Sequence, residues 1–269
     1  MNTAVVATTS MSNPFFKFQQ FIVRHDRCAM KVGTDGVLLG AWAEPAVSKV
    51  RPASAFSILD VGTGSGLVAL MLAQRFPKAH IDAIDIDKAA IEQAAENFAA
   101  SPWSDRLHTF HARLQDWQIV HRTSSPRTLP YDLIVSNPPY FQNSLKNPDK
   151  SRQTARHTDT LTYSELLQHS ARLLSPEGIV ALILPAEAET EACELARMAG
   201  LLPARITHVY SKENKPARRV LLAFEKPAPR HIGISTYQYP SPLEDSLVLE
   251  NETGGRSAAY QEITKDFYL

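Results

Sequence analysis

The segment Asp60-Val61-Gly62-Thr63-Gly64-Ser65-Gly66, three glycines at alternate positions behind an acid, constrains this chain more than any other feature. The apolar run Ser57 to Val61 leads into it and reads as a buried strand. Leu67, Leu70 and Met71 follow at helical rather than alternating spacing, up to Arg75. A strand therefore turns sharply into a helix through glycines. Glycine there lets the backbone adopt φ values other residues avoid and approach a ligand closely. This is the opening unit of a parallel β-α sheet, and such sheets bind ligands beyond the carboxyl ends of their strands.

The rest of the chain continues the alternation. Strands are expected at His80 to Ile86, Leu107 to His111 and Asp132 to Val135, and helices at Lys88 to Ala100 and Tyr163 to Leu174. Pro176-Glu177-Gly178 closes that second helix before a strand Ile179 to Leu184. Glu187 to Met198 is helical, with Gly200 just past its end as a stop signal. Ile206 to Tyr210 and Val220 to Glu225 flank a basic loop without a helix between them, so an antiparallel hairpin is expected at one sheet edge. Strands alternating with helices argue for an α/β fold with a mostly parallel, doubly wound sheet. Residues 1–13 read as a flexible tail without the basic start and apolar block of a signal peptide. Residues 14–269 read as a single domain, with an N-terminal extension 14–56, a core 57–226 and a C-terminal tail 227–269 packed on that core.

Composition narrows the function classes. Lys+Arg and Asp+Glu number 28 each, so no global field draws the chain onto a polyanion, and any such partner must meet local patches. Cys28 and Cys193 are the only cysteines, too few for a disulfide framework or a four-cysteine zinc site. No stretch approaches the roughly 20 apolar residues of a membrane span. The expectation is a cytoplasmic enzyme, monomeric, without membrane attachment or metal.

The glycine loop selects among ligands. A dinucleotide fingerprint would place its third glycine at position 67, which is Leu67, and this disfavours a nicotinamide oxidoreductase. Alternating glycines behind Asp60 fit S-adenosylmethionine instead, which has no pyrophosphate. Gly62, Thr63, Gly64 and Gly66 would wrap its methionine part, and Asp60 would steady the loop and the ammonium. A carboxylate ending the second strand should take both ribose hydroxyls. Asp85 stands 19 residues beyond Gly66, in Ile84-Asp85-Ile86-Asp87. Asp87 remains the alternative ribose ligand, or a cap for the following helix.

Asn137-Pro138-Pro139-Tyr140 lies just past the strand at 132–135, at the same sheet edge. These residue types suit one kind of chemistry. A planar exocyclic amine shares its lone pair with its ring and is a poor nucleophile. The Asn137 side-chain oxygen and the Pro138 carbonyl can accept its two N–H bonds and favour the pyramidal, reactive amine. Pro138 and Pro139 fix φ and hold that carbonyl rigidly, and Tyr140 offers a stacking face. Alignment and hydrogen bonding carry such a transfer, without a metal or strong base.

With both motifs in place, the chain resembles the class I S-adenosylmethionine-dependent amino-methyltransferases. More narrowly it is similar to the bacterial tRNA(Val) adenine-37 N6-methyltransferases. Three further stretches carry the narrower likeness. They are Phe15-Phe16-Lys17-Phe18-Gln19-Gln20-Phe21 continuing through His25 to Trp42, then Arg218-Arg219-Val220-Leu221-Leu222-Ala223-Phe224, and the closing Thr264-Lys265-Asp266-Phe267-Tyr268-Leu269. The resemblance spans nearly the whole chain after the first dozen residues. It implies a Rossmann-like class I methyltransferase fold, S-adenosylmethionine as cofactor, and methyl transfer to the N6 amine of adenine 37, beside the anticodon of tRNA(Val). It also implies that Lys31 to Gly36 lines the methionine side of the cofactor, with Thr34 and Asp35 as contacts. A capped helix start with Asp35 solvated is the alternative there. One departure is His111-Ala112-Arg113, where many relatives carry an acid for the cofactor adenine; backbone or Asp116 would have to replace it.

Three basic clusters could meet tRNA phosphates on a chain of zero net charge. They are Arg24, His25, Arg27 and Lys31; Lys146, Lys150, Arg152, Arg156 and His157; and Lys212, Lys215, Arg218 and Arg219. The aromatic run from Phe15 to Phe21 can stack on RNA or pack on the core. Rival functions share the chemistry: a protein-glutamine N5-methyltransferase, or a ribosomal-RNA guanine N2-methyltransferase. A binding module that kept the fold without catalysis is a further class.

Overall fold

Apolar residues reach both faces of the central strands, and this is what places helices on both sides of the sheet. The computed structural model describes residues 13–28, 30–46, 55–117, 130–139, 161–227 and 241–269. Phe15–Lys17 (β1) and Ile22–Arg24 (β2) form a two-stranded antiparallel sheet, and helix Thr34–Trp42 (α1) follows. The parallel series is Phe56–Val61 (β3), Leu67–Arg75 (α2), Ala79–Asp85 (β4), Lys88–Ala99 (α3), Leu107–His111 (β5) and Tyr131–Ser136 (β6). Next come Tyr163–Leu173 (α4), Leu174–Pro185 (β7), Glu189–Met198 (α5), Leu202–Tyr210 (β8) and Ala217–Glu225 (β9). Leu243–Val248 (β10) and Ala258–Thr264 (α6) end the described chain.

The main sheet runs β10-β8-β9-β7-β6-β3-β4-β5. Strands β7, β6, β3, β4 and β5 are mutually parallel, and β9 is antiparallel to both β7 and β8. In β3, Ile58 faces one buried cluster and Leu59 the other, each without exposed surface, so neighbouring residues feed opposite layers. The switch point lies at β3, whose chain continues to β4 on one side while β6 pairs on the other. Ser136 Oγ donates to the Val61 carbonyl at 2.8 Å, and this fixes the ends of β6 and β3 side by side.

Two expectations are corrected. The antiparallel hairpin is present, but it is not the edge: β10, from the C-terminal tail, pairs parallel with β8 outside it. Asp245 on β10 meets Arg205 at 2.7 Å, so the tail seals an edge that would otherwise present unpaired backbone. Its burial shows no clean alternation along the strand, which is why period-2 reading misses it. Pro176-Glu177-Gly178 lies inside β7 rather than before it. The ladder there jumps from Leu174 opposite Tyr131 to Ile179 opposite Leu133, so the intervening residues bulge.

The aromatic run divides: Phe15 is exposed, Phe16 partly buried, and Phe18 and Phe21 belong to the core. Phe18 and Phe21 are buried and stack at 4.6 Å between ring centroids, and Phe18 also stacks on Tyr268 at 5.9 Å. The Gln19 amide donates to the Phe267 carbonyl at 2.8 Å, so the first strand and the last residues close on each other.

Candidate active site

The glycine loop is fixed from both sides. Gly62 and Thr63 donate backbone N–H to the Ile84 carbonyl at 2.9 and 3.1 Å, clamping the end of β3 to β4. Gly62 and Gly64 have φ of 71° and 55°, a region costly to side chains, and nothing lies within 4 Å of where a Cβ would stand. The loop thus presents bare backbone to open space. Gly66 is glycine for another reason. It caps α2 at φ 80°, and a Cβ there would stand 2.5 Å from Phe98, in a packed contact rather than at the cavity wall.

Asp60 is buried at the start of the loop and accepts the Thr63 hydroxyl at 2.7 Å. Burial pushes its carboxyl up to about 7, against the opposing Thr63 hydroxyl and Ala69 amide, and the nearby Asp85 charge raises it further. A buried acid held half-neutral in this way is well placed to meet a cation. Asp85 and Asp87 divide the other acidic work. Asp85 Oδ2 accepts the Gly64 amide and Oδ1 the Asp87 amide, both at 2.9 Å. Asp87 Oδ1 accepts the Ala89 amide at 2.9 Å and so caps α3.

Two cavities meet at this edge, with Asn137, Gly62, Gly64 and Met30 bordering both. The first, about 260 Å³, has apolar walls that include Val61, Ile84, Ile86 and Leu114, with Asp85 and Asp87 at one side. Apolar faces around a flat ring, with acids beside them for hydroxyls, fit an adenosine. The second, about 380 Å³, is more polar than the first, bordered by Asp60, Thr63 and Ser65 and by Lys31, Asp35 and Arg219. Acids and cations together fit an amino-acid group carrying ammonium and carboxylate. The donor set and the open loop therefore suit S-adenosylmethionine. Pro138 is buried and Pro139 exposed at the mouth of the first cavity, while Asn137 is half-buried.

Thr34 starts α1, exposed, after an N-cap Gly33 without a side-chain capping bond. Asp35, in the first turn, is partly exposed and ion-paired: its carboxylate lies 3.0 Å from Arg219 Nε. Arg27 is ion-paired with Glu96, and Lys212 stands 3.5 Å from Glu250. Lys215 and Arg218 are exposed on the β8–β9 loop and at the start of β9. His25 leaves the basic group of its neighbours: it is buried, with its ring Nε2 bonded to the Asn13 carbonyl at 3.0 Å. His208 pairs with Glu189 at 2.7 Å, and neither borders the two cavities. Tyr140, Lys146, Lys150, Arg152, Arg156 and His157 lie outside the described residues. Where an acid was wanted for the adenine, Ala112, Arg113 and Gln115 line the first cavity. Among the described residues, no group of three His, Cys, Asp or Glu side chains is arranged to hold a metal ion, and no helix is long and apolar enough to cross a membrane.

Sequence reasoning missed Asn97. Its Oδ1 accepts the Arg24 amide at 3.0 Å, and its Nδ2 donates to the Arg24 and Ser65 carbonyls, each at 2.8 Å. One buried amide thus ties the N-terminal hairpin to the glycine loop. Cys28, beyond that hairpin, lines the first cavity, and burial together with Asp85 and Asp87 pushes its thiol up to about 11. A polar Asn on an otherwise amphipathic helix, one residue before Phe98, was the only local signal.

Comparison with known proteins places the chain among methyltransferases. A family model described as "Methyltransferase small domain" matches residues 46–202. A protein of Parabacteroides distasonis named tRNA1(Val) (adenine(37)-N6)-methyltransferase is 46% identical over 259 residues, covering 96% of this chain and 99% of its own length. Relatives of the same name from Phocaeicola vulgatus and Pectobacterium carotovorum are 47% and 42% identical, over 96% and 94% of this chain and 99% and 93% of their own. Among solved structures, a "predicted O-methyltransferase" from Agrobacterium tumefaciens superposes with a TM-score of 0.58 at 16% identity, covering 87% of this chain and 96% of that one. That likeness speaks for the fold alone.

Proposed function

The chain belongs to the tRNA1(Val) (adenine(37)-N6)-methyltransferase family, and from that membership we propose that it methylates the exocyclic N6 amine of adenine 37 in tRNA(Val), beside the anticodon. The observation that carries the mechanism is Asn137 at the junction of the two cavities, where it can face a target amine from one side and the cofactor from the other. The relatives' names do not favour a protein-glutamine or ribosomal-RNA guanine substrate.

S-adenosylmethionine, when bound, supplies an electrophilic methyl group on a sulfonium leaving group. Gly62 and Gly64 let the main chain approach it, Asp60 offsets its positive charge, and Asp85 accepts from its ribose hydroxyls. Asp35 and Thr34 border its methionine side. Asn137 Oδ1 and the Pro138 carbonyl accept the two N–H bonds of the target amine and turn its lone pair out of the ring. Pro138 and Pro139 hold that carbonyl without rotational freedom. Tyr140, next in the chain and outside the described residues, is the proposed stacking face for the adenine. The fixed acceptors act through alignment, worth far more in a preorganised site than in water. After transfer the surplus proton leaves to water, and the chemistry asks for no metal. Arg27, Lys31, Lys146, Arg152, Arg156, Lys212, Lys215, Arg218 and Arg219 are the proposed phosphate contacts.

Mass mapping of nucleosides in tRNA from a strain lacking the gene tests this directly. N6-methyladenosine should vanish from position 37 of tRNA(Val) and return with the wild-type chain. An unchanged modification pattern would overturn the assignment.

A further inference from the structure

The first cavity reaches past the end of β5, where Ala112, Arg113, Leu114 and Gln115 border it. The sheet order says which part of the cofactor arrives there. Strands β3, β4 and β5 lie side by side in that order, with the glycine loop after β3 and Asp85 at the end of β4. Methionine at the loop and ribose at Asp85 leave the adenine ring for the end of β5, one strand further out.

Adenine brings an exocyclic amine with two N–H donors, and burying it without an acceptor costs free energy. The other side-chain acceptors around the cavity are committed. Asp85 holds two backbone amides, Asp87 caps α3, and Ser136 Oγ turns to the Val61 carbonyl. Asn137 serves the target amine in the reading above. The Arg113 side chain has only donors, and Asp116 does not border the cavity. Gln115 remains. It is half-buried in the short 3-10 helix Leu114–Asp116, and among the described residues its side chain bonds only through its donor end. Its Nε2 donates to Glu165 Oε1, a long contact of 3.4 Å to a carboxylate.

Glu165 decides which way that amide points. Its Oε2 accepts the Thr162 amide at 2.9 Å and the Thr162 hydroxyl at 2.8 Å, in the capping box that opens α4. The Thr162 amide first, and then its hydroxyl, hold the Glu165 carboxyl below the ordinary carboxylate range. A carboxylate can only accept, so the Gln115 amine turns toward it and the Gln115 carbonyl oxygen turns away. A fixed charge thus presets Gln115 as an acceptor at the cavity wall.

We infer that Gln115, its amide turned by Glu165, accepts the exocyclic amine of the cofactor's adenine. This makes Gln115 a specificity-determining residue for the cofactor and Glu165 its positioning residue. The inference rests on the S-adenosylmethionine reading of the cavity and is independent of the RNA substrate.

The test is calorimetric. It compares S-adenosylhomocysteine with its 6-deamino counterpart, in which hydrogen replaces the amine and the ring nitrogens stay. Wild-type protein should prefer the amine by about 5- to 50-fold, because the deamino ligand leaves the Gln115 oxygen buried and unpaired. Gln115→Leu should bind S-adenosylhomocysteine more weakly and hold the two ligands within about 3-fold of each other. Glu165→Gln keeps a residue able to complete the capping box but no longer dictates the direction of the Gln115 amide. Its preference should fall between the other two while its thermal midpoint stays near wild type, and it carries the comparison if Gln115→Leu does not fold. An undiminished preference in either folded variant would overturn the inference, as would wild-type protein with no preference at all. So would loss of the preference in Asp116→Ala, which would move the contact to Asp116. Wild-type protein that binds neither ligand would instead sink the cofactor reading itself, and the inference with it.

Discussion

The Asp85 carboxylate holds the Gly64 amide at 2.9 Å, so the acid that ends β4 also shapes the turn that ends β3. Its other oxygen takes the Asp87 amide, while Asp87 is spent on capping α3. This division makes Asp85 the stronger candidate for the ribose hydroxyls. Asp85→Ala should weaken S-adenosylmethionine binding by about 1.5–3 kcal/mol, the worth of hydrogen bonds to a charged acceptor. Isothermal titration is the measurement, and unchanged affinity would transfer the ribose role to Asp87.

Gly66 separates conformation from contact. Its φ of 80° and the 2.5 Å approach of Phe98 to a Cβ predict that Gly66→Ala destabilises the fold. The left-handed backbone costs a side chain about 1–2 kcal/mol, and overpacking about 1–3 kcal/mol more. Urea titration should show the combined loss, and adding Phe98→Leu should recover only the packing share. Full recovery in the double variant would mean the backbone at Gly66 is unstrained.

Asn137 is the sharpest chemical prediction. Asn137→Ala should nearly abolish turnover and leave S-adenosylmethionine affinity within about 3-fold, because its bonds form mainly to the amine in the transition state. Asn137→Asp keeps an acceptor oxygen at this position and should retain more transfer than Asn137→Ala. Near wild-type transfer by Asn137→Ala removes the amine cradle from the mechanism.

What could be read before the structure was whatever depends on near neighbours. Gly62 and Gly64 announce themselves because only glycine tolerates their φ, and Asp85 because a helix and a strand of ordinary length separate it from them. Asn137-Pro138 was legible for the same reason, at the end of an apolar strand. Asn97 was not, since it acts on Arg24, 73 residues away, and an isolated Asn on a helix looks like any polar face. The Asp35–Arg219 pair spans 184 residues, and nothing in either local pattern points to the other. Arg106 is similar: a charged residue reading as surface is buried, its guanidinium bonded to the Phe76 and Ala79 carbonyls. Long-range polar satisfaction leaves little trace in periodicity.

Asp60 should make both stability and cofactor binding depend on pH. Its folded-state carboxyl is pushed up to about 7, above the roughly 3.9 of an unfolded chain. Between these values the folded protein keeps a proton that the unfolded chain has released, so the ligand-free protein should lose stability as pH rises from about 4 to about 7. A cationic ligand prefers the carboxylate, so S-adenosylmethionine affinity should climb between about pH 6 and pH 8. Asp60→Asn should flatten both profiles. Affinity that stays level across this range in the wild-type protein would mean Asp60 is already ionised before the ligand arrives.

The β8–β9 loop should contribute to RNA affinity through charge alone. Lys212 already faces Glu250 at 3.5 Å, with both side chains near half exposure, so that pair adds little and the Lys212 charge is partly offset. Lys215 and Arg218 are the exposed positions to change, and neither borders the two cavities. Phosphate contacts act by releasing condensed counterions, so tRNA affinity should fall steeply with salt while S-adenosylmethionine affinity hardly moves. Replacing Lys215 and Arg218 by Ala should weaken tRNA binding and flatten its salt slope by about one to two contacts. The thermal midpoint should stay close to wild type, because exposed substitutions away from caps and buried bonds change stability little. A folded double variant with the same tRNA affinity and the same salt slope would take the loop off the RNA-binding surface.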